Sequence, residues 1–106
     1  MTNPLPLSIL DLAHVAQGSS VRDALLRSQA IARTAEQAGF TRYWLAEHHG
    51  MRAVASAATA VLLSSVGAVT NRIRIGSGGV MLPNHAPLVI AEQFGTPAYV
   101  YSRATL

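Results

Sequence analysis

Apolar residues in this chain gather into short runs, separated by longer stretches with helical spacing. Leu5 to Leu12 is apolar around Ser8 and Asp11 and reads as a first strand ending near Asp11. A polar loop containing Gln17-Gly18-Ser19 follows. Ser20-Val21-Arg22-Asp23 then has the form of a capping box, with Asp in the usual Glu or Gln place. Behind it, Val21, Leu25, Ser28, Ile31 or Ala32, Ala35 and Ala38 share one helical face, and Arg22, Arg33, Glu36 and Gln37 take the other. Gly39 stands where a glycine ends a helix, so the spacing predicts a helix over 21–38. Tyr43 to Ala46 reads as a second strand, and Ala57 to Val69, mostly apolar and rich in alanine, as a second helix packed on more than one side. Ile73 to Ile75 opens a third strand that runs into Gly76-Ser77-Gly78-Gly79. Pro83-Asn84 marks a turn. Leu88 to Phe94 reads as a third helix, started by Pro87 and stopped by Gly95 and Pro97.

The alternation βαβαβα predicts an α/β fold with a parallel sheet. The strands read as continuous apolar runs, as expected for a sheet covered on both faces. Three such units are either the first three-eighths of a (β/α)8 TIM-type barrel or a very small open sheet. A complete barrel takes about 250 residues, and this chain has 106, so the barrel would be incomplete.

Composition narrows the function classes. Half the residues are hydrophobic and 12% are charged, which excludes a disordered chain. The formal charge is +3, yet the basic residues are all arginines spread singly from Arg22 to Arg103, with no patch interleaving them with aromatics. A nucleic-acid partner is therefore not expected. The absence of cysteine excludes disulfide and thiolate chemistry and agrees with a cytoplasmic setting. Ala53 to Val69 is broken by Ser56, Thr59, Ser64 and Ser65 and reads as a buried helix rather than a membrane span.

The densest candidate chemistry is Glu47-His48-His49 at the end of the second strand. Carboxyl ends of parallel strands are where such folds build their sites. On an extended backbone His48 opposes Glu47 and His49, so one imidazole can face a pocket as a general base or donor while the others bond to neighbouring loops. Adjacent histidines are poor metal spacing, and no HxH or HExxH is present, so no metal is expected. Gly76-Ser77-Gly78-Gly79 is not the dinucleotide fingerprint, and the chain lacks the lysine of a P-loop. It is either a tight turn or a platform that lets a ligand approach the backbone. Asp11 either faces the pocket or caps a turn.

Several segments, in order from about residue 7 to 96, resemble the bacterial luciferase-like flavin-dependent monooxygenases. They are Trp44-Leu45-Ala46-Glu47-His48-His49, Ile75-Gly76-Ser77-Gly78-Gly79-Val80-Met81-Leu82-Pro83, Ala38-Gly39-Phe40, and Ala86-Pro87 with Ala91-Glu92-Gln93-Phe94-Gly95. Leu7-Ser8-Ile9-Leu10-Asp11-Leu12 is similar to the start of the alkanal-monooxygenase-related subgroup. The resemblance implies a (β/α)8 barrel that binds reduced FMN, or in some branches a deazaflavin, and uses O2 on a small organic substrate. It makes His48 the active-site imidazole near the flavin, and Gly78-Gly79 the flavin-facing dipeptide, carrying a cis peptide in several members. Glu47 and His49 match family positions with structural roles, and homodimers occur among full-length members. From Pro97 to Leu106 the resemblance fails and no Gly-Arg turn appears, so residues 97–106 are expected to be a divergent, truncated or frame-shifted tail after an N-terminal barrel part over 1–96. The alternatives are a catalytically incompetent remnant of such an enzyme and a small oligomerisation module.

Overall fold

The computed structural model describes residues 5–105. Its elements alternate as the sequence predicts: β1 (Ser8–Asp11), α1 (Val21–Gln37), β2 (Arg42–Leu45), α2 (Thr59–Val69), β3 (Arg74–Ser77), a 3-10 turn (Leu82–Asn84), α3 (Pro87–Tyr101) and β4 (Ala104–Thr105). The capping box forms in full. Asp23 N–H donates to Ser20 Oγ and Ser20 N–H to the Asp23 carboxylate, both at 3.0 Å, so α1 begins where the motif places it.

The sheet is parallel with β2 between β1 and β3. Its register pairs Ile9 with Tyr43 and Tyr43 with Ile75, then Asp11 with Leu45 and Leu45 with Ser77. This set faces the helices. Tyr43, Leu45 and Ile75 are buried against Ala32 and Ala35 of α1, Leu62, Leu63 and Val66 of α2, and Ile90 and Phe94 of α3. The alternate set, Leu10, Trp44 and Gly76, takes the opposite face. That face is uncovered beside β1, where Leu10 is 57% exposed. The sheet is therefore covered on one face here, not on both as its apolar runs suggest.

Two expectations are corrected at the end of the chain. Gly95 and Pro97 do not stop α3, which continues to Tyr101 and ends on Ser102 in the left-handed region at φ 55°. Packing overrides the local signal: Pro97 is buried, and Tyr101 lies against α2 with its hydroxyl donating to Ser64 O at 3.0 Å. Gly67 makes that possible, since a Cβ there would stand 2.6 Å from the Tyr101 ring. Arg103 then caps the C-terminus of α2, donating to the carbonyls of Gly67 at 2.7 Å and Thr70 at 2.6 Å, and it reaches Ile73 O at 2.8 Å beside β3. The next two residues pair with β3 as a fourth parallel strand, Ala104 opposite Ile75. Four strands thus replace the three expected, because a two-residue strand leaves no apolar run to read.

Two outcomes follow from this packing. Arg103→Ala strips charged donors from half-buried carbonyls and should lower stability by about 1.5–3 kcal/mol, checked by urea denaturation. The uncovered Leu10 face should make the chain self-associate in sedimentation, and Leu10→Glu should shift it towards monomer; a concentration-independent monomer in the unsubstituted chain would contradict this.

Candidate functional site

A parallel ladder brings the carboxyl ends of its strands to one edge. Here the ladder continues past the strands, with Ala46 N–H donating to Asp11 O at 3.0 Å and Gly78 N–H to Leu45 O at 2.8 Å. The loops above are tied together as well. Val15 N–H donates to Ala53 O at 2.8 Å and Ala55 N–H to Ala13 O at 2.9 Å. Glu47-His48-His49 and Gly78-Gly79 therefore emerge from neighbouring strands at the same edge.

Glu47 is buried and accepts three kinds of hydrogen bond: from His49 Nε2 at 2.5 Å, from His85 Nε2 at 2.9 Å and 3.0 Å, and from Met81 N–H at 3.2 Å. Burial pushes its carboxyl up, but the hydrogen bonds from His49, His85 and Met81 outweigh that and hold it below its ordinary value. Glu47 and His49 share a side, as alternation along an extended backbone requires. His85 was not singled out by sequence. It lies 38 residues from Glu47 in a loop of no fixed period, and its one local signal was a polar residue shortly before Pro87.

His48 does not join that cluster. It is half-buried, its N–H donates to Ser56 O at 3.1 Å, and its Nδ1 is buried without a hydrogen-bond partner among the described residues. Gly78 and Gly79 are exposed at the edge. Gly79 sits at φ 135°, a region that side chains rarely enter, with open space where a Cβ would stand. A Cβ on Gly78 would lie 2.6 Å from Leu10 Cδ1 and 3.7 Å from Trp44 Cβ, so its backbone lies close to the uncovered face. Their peptide is trans here, like every described peptide, where family resemblance suggested a cis bond for an intact barrel. Ser77 Oγ bonds to Gly79 on both its N–H and its carbonyl, which fixes the turn locally.

Asp11 belongs to the framework. Its carboxylate accepts from Ala13 N–H at 2.9 Å and from the buried Tyr43 hydroxyl at 2.5 Å. Burial and the Asp11 carboxylate together push the Tyr43 hydroxyl far above its ordinary value, so it remains a donor. A cavity of about 230 Å³ lies between the first turn of α2 and α3, bordered by Glu47, Val80, His85 and Phe94. It is on the helix side of the strand ends, away from Leu10 and Trp44.

Comparison with known proteins agrees with the architecture. The family model described as luciferase-like monooxygenase matches residues 5–102. A luciferase-like monooxygenase of Escherichia coli strain K12 is 57% identical over 97 residues, which are 92% of this chain and 29% of that relative. The crystal structure of apo-MsnO8 superposes with a TM-score of 0.93 at 38% identity, covering 97% of this chain and 32% of that one. The oxygenating constituent of 3,6-diketocamphane monooxygenase from Pseudomonas putida, solved in complex with FMN, shares the fold at a TM-score of 0.86 and 18% identity, over 95% of this chain and 28% of its own. The chain thus spans under a third of the length of these relatives.

The Glu47 cluster sets an acid dependence. A carboxyl held below its ordinary value stabilises the fold above that value, near 4.5, and the contribution is lost as pH falls through the lower folded value. Glu36 acts in the same direction: burial raises its carboxyl, but backbone N–H donors from Arg72, Ile73 and Asn71 bring it lower overall. Stability measured by denaturant should be flat near neutrality and fall below about pH 4.5. Glu47→Gln should cost about 1–3 kcal/mol near neutrality and flatten part of that acid slope; an unchanged slope would contradict the assignment.

Proposed function

The chain belongs to the luciferase-like monooxygenase family, and on that premise we propose that it is the N-terminal, flavin-facing part of an enzyme that uses reduced FMN and O2 to oxidise a small organic substrate. The observation that supports this reading is that neighbouring strands deliver His48 and the Gly78-Gly79 backbone to the same carboxyl edge of a parallel sheet. Two features fit a flat cofactor. The Gly79 position is open and has a backbone conformation suited to glycine, and the Gly78 backbone lies beside Leu10 and Trp44. Gly78 and Gly79 would carry the ring on their backbone, and half-buried His48 would hold or pass a proton next to it. When bound, reduced FMN would supply the electrons that let one atom of O2 enter the substrate while the other leaves as water. A deazaflavin is the less favoured cofactor, because the first strand resembles a flavin-using subgroup.

A second reading is favoured by the open Leu10 face: this chain alone carries one side of the site, and turnover belongs to proteins of the relatives' full length. Exposed Val61, Leu88 and Val100 on α2 and α3 fit a homodimer in such a full-length protein.

The two readings separate on titration with reduced FMN, read by quenching of Trp44, the single tryptophan. The chain continued with the remaining strands of the Escherichia coli relative should bind more tightly than the chain alone and should turn over. In that protein His48→Ala should lower coupled oxidation by about 10²–10⁴-fold and leave flavin binding mostly intact, while His49→Ala should act on stability. Loss of turnover with His49→Ala but not His48→Ala would reverse the roles. Gly79→Val forces a branched side chain into a glycine conformation, costing about 1–3 kcal/mol, and should weaken flavin binding; unchanged affinity would leave Gly78-Gly79 a simple turn.

A further inference from the structure

The loop that follows the glycine pair has little to hold it. Between Gly78 and Ala86 only Val80 and His85 are partly covered, and the 3-10 turn Leu82–Asn84 buries nothing. Short backbone bonds close the turn on itself, Asn84 N–H to Met81 O at 2.9 Å and His85 N–H to Leu82 O at 3.0 Å. They do not fasten it to the sheet. Ser77 Oγ holds Gly79 locally, and beyond it, among the described residues, the one side chain outside the loop that hydrogen-bonds to residues 80–86 is Glu47, through Met81 N–H and His85 Nε2. Glu47 is also the chain neighbour of His48.

We propose that Glu47 is a positioning residue that clasps the loop leaving Gly78-Gly79 to the strand end carrying His48, with His85 as the loop's grip on it. Its carboxylate, only 2% exposed, is anchored at the end of β2 and reaches across to the loop leaving β3. The loop's two contacts span Met81 to His85, so together they fix both its position and its orientation. An ionised carboxylate is only an acceptor, so His85 and His49 must each present a protonated Nε2 to it. The same carboxylate thereby ties the loop that follows the glycine pair to the segment that leads into His48. The consequence for catalysis rests on the reading of Gly78-Gly79 as a flavin platform; the clasp itself does not.

The test needs no flavin, so its failure and the failure of that reading are separate. Amide hydrogen exchange is measured in the 106-residue chain at Met81, Asn84 and His85, with Ala32 and Ala35 of α1 as controls. His85→Ala should speed exchange at the loop amides on the order of tenfold or more, as expected for losing a hydrogen bond to a charged group. The α1 amides should not change, and the Gly79 amide resonance should move although it lies at the other end of the loop. His85→Gln, whose side-chain N–H can occupy the place of Nε2, should restore most of the protection. Glu47→Gln should reproduce the local loss; if it does not fold, the two His85 variants decide. In the unsubstituted chain, nitrogen-15 spectra should show His85 and His49 protonated at Nε2. Three results would overturn the proposal: loop exchange unchanged by His85→Ala, exchange raised equally in α1, or His85 protonated only at Nδ1.

Discussion

The register of β2 between β1 and β3 is the constraint from which the site follows. A parallel ladder aligns strand ends, so whatever the sequence places after Asp11, Leu45 and Ser77 must appear along one edge. That register is secured by a buried polar pair. The Tyr43 hydroxyl, fully enclosed, must find an acceptor, and Asp11 on the adjacent strand supplies it at 2.5 Å. Asp11 in turn accepts from Ala13 N–H, which turns the chain out of β1. A slip of one residue would carry Tyr43 to the open face and leave the buried Asp11 carboxylate without that donor. Apolar packing acts in the same direction, since the same slip would take Leu45 out of the helix-side core.

Much of this was legible in the sequence. Helix α1 announces itself through Ser20, Asp23 and Gly39, and the three main strands through short apolar runs. The opposed directions of His48 and its neighbours follow from alternation and are seen in the Glu47–His49 bond. What was not legible is set by contacts between distant residues. Gly95 and Pro97 are ordinary helix breakers, yet burial of Pro97 and the bond from Tyr101 to Ser64 carry α3 through them. The partner of Glu47 was hidden for the same reason. His85 reaches it through a loop whose path depends on Glu47 itself, so no local periodicity could reveal the pair.

The apolar content and the open face belong together. Strands that read as apolar on both sides carry Leu10 and Trp44 away from the helices, on the face that points into the barrel in a complete (β/α)8 fold. The chain matches proteins more than three times as long, and in the reading proposed above further strands of one barrel would cover that face. Both features fit that reading, and the helix-side core is already closed around Tyr43, Leu45 and Ile75.

The polar residues at the two ends of the sheet divide by how fully they are satisfied. Asp11, Glu36 and Glu47 each accept several hydrogen bonds, and such carboxylates hold backbone in place. His48 is different, since its Nδ1 is buried without a partner among the described residues, an arrangement that folding stability alone does not favour. The proposed role of His48 would use that free hydrogen-bonding capacity beside glycines whose backbone stands exposed, a position that Ser28 and Ser56, whose buried hydroxyls also have no partner among the described residues, do not share.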